Sequence, residues 1–157
     1  IRWHLIGHLQ RNKVKYIAPW VHMIHSVDSA DLLKEINRQA VTCNRVIPCL
    51  LQIYVATEET KFGLDEPELM ALLSSEAFHA MHNIQICGLM GMATNTENQE
   101  QIRKEFATLH AIFERTKARF FAQDNNFKEL SMGMSSDYNI AVEQCSTMVR
   151  IGSLLFN

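Results

Sequence analysis

Leu130-Ser131-Met132-Gly133-Met134-Ser135 and, beyond a helix-length segment over 136–144, Cys145-Ser146-Thr147-Met148-Val149-Arg150-Ile151-Gly152 are the runs on which the fold turns. Both are short, strand-like and bounded by small hydroxylated residues or glycine. In the second, Val149 and Ile151 alternate with Met148, Arg150 and Gly152. A strand there has one apolar face and one face carrying a lone arginine. A guanidinium stays charged at any working pH and presents a fork of donors. With Ser146 and Thr147 before it and Gly152 after, it suits a small anionic ligand. A buried strand whose arginine pairs with a carboxylate is the other reading of the same spacing.

The same alternation repeats toward the N-terminus. Strand-like runs fall at 3–7, 23–26, 49–55, 84–90, 130–134 and 148–152. Residues 10–17 could form a short helix before Pro19. Ser29 caps a helix over 30–40 with Leu32, Leu33 and Ile36 on its inner face. Asp65-Glu66-Pro67 opens another, with a stripe of Leu69, Met70, Leu72, Leu73 and Ala77. Ile102, Phe106, Leu109 and Phe113 mark the longest helix, over 97–120. Ser135, Ser136 and Asp137 are candidate caps for the last one. Strand, helix, strand without hairpin signals means parallel strands joined by right-handed crossovers. An open doubly wound sheet and a (β/α)8 barrel compete. The absence of G-x-G-x-x-G after an early strand argues against a dinucleotide-binding sheet. About six of the eight βα units of a TIM-type barrel are countable, so a barrel without its first two strands is the expectation. The chain opens on Ile1-Arg2-Trp3 with strand-like sequence at once, which fits a missing N-terminal portion.

The chain is long enough for one domain, 1–157, with a sizeable core. At 47% hydrophobic and 20% charged residues it has an ordinary globular composition, and a net charge of −2 offers no case for nucleic acid or an anionic membrane. No apolar run is long enough to suggest a membrane span, and no signal peptide is evident. Cys43, Cys49, Cys87 and Cys145 are scattered without a C-x-x-C pair, which suits reduced cysteines in a cytoplasmic protein.

His22-x-x-His25 and His79-x-x-His82 invite a metal reading, but no carboxylate or cysteine cluster completes either, and no metal is expected. His4 and His8 bracket the end of the first strand, a better place for ligand contact. The loop Glu58-Glu59-Thr60-Lys61-Phe62-Gly63 would lie on the functional face of a barrel, or be a solvated loop in which Gly63 takes a positive φ. Asp28 reads as a helix cap in preference to a site carboxylate. No spacing supports nucleophilic hydrolysis. In barrels the loops after the last two strands frequently hold phosphate, aided by a helix N-terminus. Ser131 and Ser135 around one of those strands, and Gly152 and Ser153 after the other, point to a phosphorylated small molecule, with Arg150 meeting another part of it.

Trp3-His4-Leu5-Ile6-Gly7-His8-Leu9-Gln10-Arg11-Asn12-Lys13, His25-Ser26-Val27-Asp28-Ser29, Lys61-Phe62-Gly63, Gly88-Leu89-Met90 and the series SMGMS (131–135), then S-T-x-V-R-I-G (146–152), occur in order. Together they resemble the pyridoxal phosphate homeostasis proteins, a family similar to the N-terminal barrel domain of alanine racemase, over essentially the whole chain. The resemblance implies a (β/α)8 barrel holding pyridoxal 5′-phosphate (PLP) through a Schiff-base lysine on the first strand, and cofactor storage or delivery to PLP-dependent apo-enzymes without an established reaction. It places Ser131 and Met132 along the cofactor, Ser146, Thr147 and Gly152 at its phosphate, and Arg150 at the pyridine nitrogen. A permanent cation there disfavours protonating that nitrogen and makes the ring a poorer electron sink.

The chain departs from the family pattern at Cys145, Tyr54 and Asn157, where glycine, asparagine and glycine are usual. The lysine-bearing strand is expected upstream of residue 1, and none of Lys13, Lys61 and Lys128 is assigned its role. An amino-acid racemase is the alternative; it needs a second acid/base, often tyrosine, and Tyr16, Tyr54 and Tyr138 have no evident placement for it. A cofactor-free interaction protein is the other, since an incomplete barrel has open edges.

Overall fold

The computed structural model describes residues 1–59 and 62–156. Thr60 and Lys61 of the polar loop, and Asn157, lie outside the described residues. The strands are β1 (His4–Leu5), β2 (Met23–Val27), β3 (Ile47–Ile53), β4 (Ile84–Gly91), β5 (Glu129–Met134) and β6 (Met148–Arg150). All pair in parallel, in the order β1-β2-β3-β4-β5-β6. A doubly wound sheet reverses its strand order at a switch point, whereas a barrel lays each strand beside its predecessor. The order is therefore that of a barrel, here a curled sheet of six strands with helices on its outer face.

A 3-10 turn (Arg11–Lys13) leads into α1 (Val14–Ile17), so the expected first helix is broken in two. α2 (Ala30–Thr42) is capped by Ser29, whose Oγ accepts from the Leu32 amide at 3.2 Å, and buries Leu32, Leu33, Ile36 and Ala40. α3 (Glu66–Ser74) buries Leu69, Leu72 and Leu73, but Ser75 ends it and caps α4 (Glu76–His79), leaving Ala77 exposed. α5 (Gln99–Phe120) buries Ile102, Phe106, Leu109 and Phe113 at the expected spacing. α6 (Tyr138–Glu143) and α7 (Ser153–Phe156) are short, and no side chain caps α6. Asp137 instead accepts from the Met134 amide at 2.6 Å.

The sheet has two buried sides. Its outer side packs on the helices through Ile24, Leu51, Leu89, Leu130 and Met132 among others, and its inner side gathers Met23, Leu50, Cys87 and Met90, with Met92 and Met148 against them. Strict alternation would send Cys87 and Met90 to opposite faces. A register shift resolves this: Cys49 pairs with Ile86 and Leu50 with Gly88, skipping Cys87. Gly88 makes it possible, since at φ +151° a Cβ would stand 1.7 Å from the Glu129 carbonyl oxygen. β1 is shorter than expected, and β6 ends at Arg150 because Ile151 and Gly152 turn into α7.

Candidate functional site

The inner layer of Met23, Leu50 and Cys87 forms a floor, and above it a cavity of about 720 Å3 opens at the carboxyl ends of the strands. It is lined by His4 and His25 from β1 and β2, Met92 just beyond β4, Met134 and Arg150 at the ends of β5 and β6, and Gly152 just beyond β6. Strand period explains the inward set. Met23 and His25 share one face of β2, and Met148 and Arg150 share one face of β6.

A continuous hydrogen-bonded chain crosses the base of this cavity. The Arg150 guanidinium donates to Ser131 Oγ at 2.8 Å and to the Gly91 carbonyl at 3.0 Å. Ser131 Oγ lies 2.9 Å from His25 Nδ1, and His25 Nε2 lies 2.9 Å from His4 Nδ1. Burial pulls Arg150 down to about 10, so it remains a cation at neutral pH. Burial, reinforced by His4 and Arg150, pulls His25 down to about 4, so it is neutral there. His4 is lowered in the same direction, first by burial and then by His22 and Arg2. The arginine thus pairs with two neutral acceptors, the Ser131 hydroxyl and the Gly91 carbonyl.

At the rim, the Gly152 amide donates to Ser135 Oγ at 3.2 Å. A Cβ on Gly152 would meet nothing within 4 Å, so this backbone is open to an incoming group. The other expected phosphate residues lie elsewhere. Ser146 Oγ is within 2.8 Å of the Met132 and Met148 carbonyls, and Thr147 Oγ1 accepts from the Leu130 amide at 2.8 Å and donates to Glu129 at 2.9 Å. Both precede β6 and so stand at the amino end of the strand, where their hydroxyls brace β5. Met132 also departs from expectation. It faces the helices, buried in the main core, because its neighbour Ser131 takes the inward position. Of the expected set, the structure gathers Ser131, Arg150 and Gly152.

The remaining candidates have other partners. Glu58 accepts from the Asn95 amide at 2.6 Å, and Tyr54 donates to the Glu58 carbonyl at 2.6 Å, so that loop braces its neighbour. Asp28 does not cap α2; it sits 3.3 Å from His8 Nδ1, and His8 stacks on Phe62. No tyrosine or lysine lines the cavity among the described residues. Among those residues no group of three or more His, Cys, Asp or Glu is arranged to hold a metal ion. Cys49 and Cys87 are buried free thiols, and burial pushes Cys87 up to about 11. No helix among the described residues is long and apolar enough to cross a membrane.

Fold and cavity define a class: a parallel βα barrel with a cation at the base and an open glycine backbone at the carboxyl-end rim. The chain belongs to the alanine racemase N-terminal domain family, whose sequence profile matches residues 1–157. It is 38% identical over 156 residues to a pyridoxal phosphate homeostasis protein of Aquifex aeolicus, covering 99% of this chain and 66% of that protein. A protein of the same name from Vibrio alginolyticus is 33% identical, with 99% of this chain and 64% of the relative covered. The structure of PipY from Synechococcus elongatus with PLP bound superposes with a TM-score of 0.88 at 31% identity, covering 100% of this chain and 71% of that one. The chain spans about two thirds of the length of the curated relatives it matches.

Proposed function

We propose that this chain forms the greater part of a barrel that binds PLP and serves its homeostasis in the cytoplasm, holding the cofactor and passing it to PLP-dependent apo-enzymes. One observation carries the reading: the Arg150 guanidinium and the Gly152 backbone, whose amide bonds Ser135 Oγ, line one cavity. A phosphorylated, flat heteroaromatic ring asks for that donor set. Gly152 N–H and Ser135 O–H would hold the phosphate, Met92 and Met134 would flank the ring, and Arg150 would face the ring nitrogen. When bound, PLP supplies an electrophilic carbonyl and an electron-withdrawing ring. Arg150 keeps the ring nitrogen from gaining a proton, which lowers its electron demand and suits holding the cofactor better than transforming amino acids. The names of the Aquifex and Vibrio relatives and the PLP bound to PipY support the same ligand.

Titrating the full-length protein with PLP, and following its visible absorption together with equilibrium dialysis, tests the reading. Saturable binding at one site per chain, weakened by inorganic phosphate, is expected. Binding that never saturates overturns it.

A further inference from the structure

The chain Arg150–Ser131–His25–His4 admits two proton arrangements, and burial separates them. Arginine has no acceptor, so Ser131 Oγ must accept from it across their 2.8 Å contact. Ser131 is 0% exposed, and among the described residues the acceptor in reach of its hydroxyl proton is His25 Nδ1 at 2.9 Å. If Nδ1 carried the ring proton instead, Ser131 would accept twice and its own O–H would be buried without a partner, a state folded proteins avoid. In the other arrangement every proton is used. Ser131 donates to Nδ1, His25 Nε2–H donates to His4 Nδ1 at 2.9 Å, and His4 keeps its proton at the exposed end.

We propose that His25, as the neutral Nε2–H tautomer, is a positioning residue: it takes the Ser131 proton, turns the Ser131 lone pair toward Arg150, and so fixes the guanidinium at the base of the cavity. Gly91 holds the second N–H from the adjacent β4, at 3.0 Å. The guanidinium is then pinned from two strands, and its remaining donors are left for a ligand. His25 is faced by His4 from β1, Ser131 from β5 and Arg150 from β6, and the only cation among these is Arg150 itself. The inference rests on the cofactor reading above for what the fixed guanidinium serves.

The test uses 15N-labelled full-length protein, wild type, H25L and H25N, with NMR of the His25 ring nitrogens and the Arg150 Nη–H groups, and a PLP titration of each. Wild type should show His25 protonated at Nε2 and unprotonated at Nδ1, with resolved, slowly rotating Arg150 Nη–H signals. H25L should lose those Arg150 signals and bind PLP about tenfold more weakly, the scale of one buried hydrogen bond. H25N keeps an amide oxygen within reach of Ser131 and should restore the Arg150 signals and bring affinity within about threefold of wild type. If H25L does not fold, the wild-type tautomer and H25N decide. A proton on Nδ1, or Arg150 signals and affinity unchanged in H25L, overturns the proposal. Wild type with the Nε2–H tautomer but no saturable PLP binding overturns the cofactor reading, and the use assigned to Arg150 with it, while the proton arrangement stands.

Discussion

His25 shows what burial does to one ionisable ring. It is 2% exposed and bonded on both nitrogens, and it would have to accept a second proton close to Arg150. An unfolded histidine titrates near 6.5, whereas burial, then His4 and Arg150, hold the folded one at about 4. Between those values the unfolded chain binds the proton and the native state does not. Stability from this group is therefore fully present above pH ~6.5 and is lost as pH falls toward 4. From pH 7.5 to 5 the loss should be about 2 kcal/mol. Urea unfolding of wild type and H25N at both pH values checks it, and H25N should lack that increment. An equal pH dependence in the two proteins would remove His25 as its source. Little of this was legible beforehand. The three-residue spacing of His22 and His25 invites a metal reading, yet both rings lie against His4, at 5.3 and 5.1 Å between centroids. His25 then meets His4 and Ser131, which only the sheet order brings together.

Elements were easier to read than contacts, because hydrophobic period and caps are local. α2 and α5 bury the stripes their spacing announces, and the alternation of six strands with helices was visible before their order. Boundaries failed where a polar side chain had a better partner than its own helix. Asp137 turns back to the Met134 amide, so α6 goes without a side-chain cap. The bulge at Gly88 left no periodic trace either, since what demands it is the Glu129 carbonyl of another strand. At α3 the local signal and the structure agree. Asp65 accepts from the Glu68 amide at 2.8 Å, and Glu68 accepts from the Asp65 amide at 2.9 Å. Replacing Asp65 with alanine leaves the Glu68 amide to solvent and should cost about 1 kcal/mol. A fall of that size in urea-unfolding free energy, unaccompanied by a change in PLP affinity, is expected, because neither residue lines the cavity.

The whole molecule divides its work between the two ends of the sheet. In parallel barrels residues at the carboxyl ends of strands carry chemistry, and those at the amino ends carry stability. Ser135 and Ser146 look alike in sequence, each a serine beside a strand, and both were candidates for an anion. The direction of the strand tells them apart: Ser135 follows β5, and Ser146 precedes β6. Ser135 Oγ meets the Gly152 amide at the open rim, whereas Ser146 Oγ lies within 3.2 Å of three strand carbonyls, those of Leu130, Met132 and Met148. One hydroxyl can donate to only one of these at a time, but its loss removes one of the ties between the amino end of β6 and β5. S135A should therefore weaken PLP binding about tenfold and leave the melting temperature nearly unchanged. S146A should do the reverse, lowering stability by about 1–2 kcal/mol while affinity holds. Dialysis and thermal unfolding of the two variants side by side read both quantities. If S146A weakened PLP as much as S135A while remaining folded, the phosphate would belong at the amino end, and the division of the sheet into a bracing end and a binding end would be wrong.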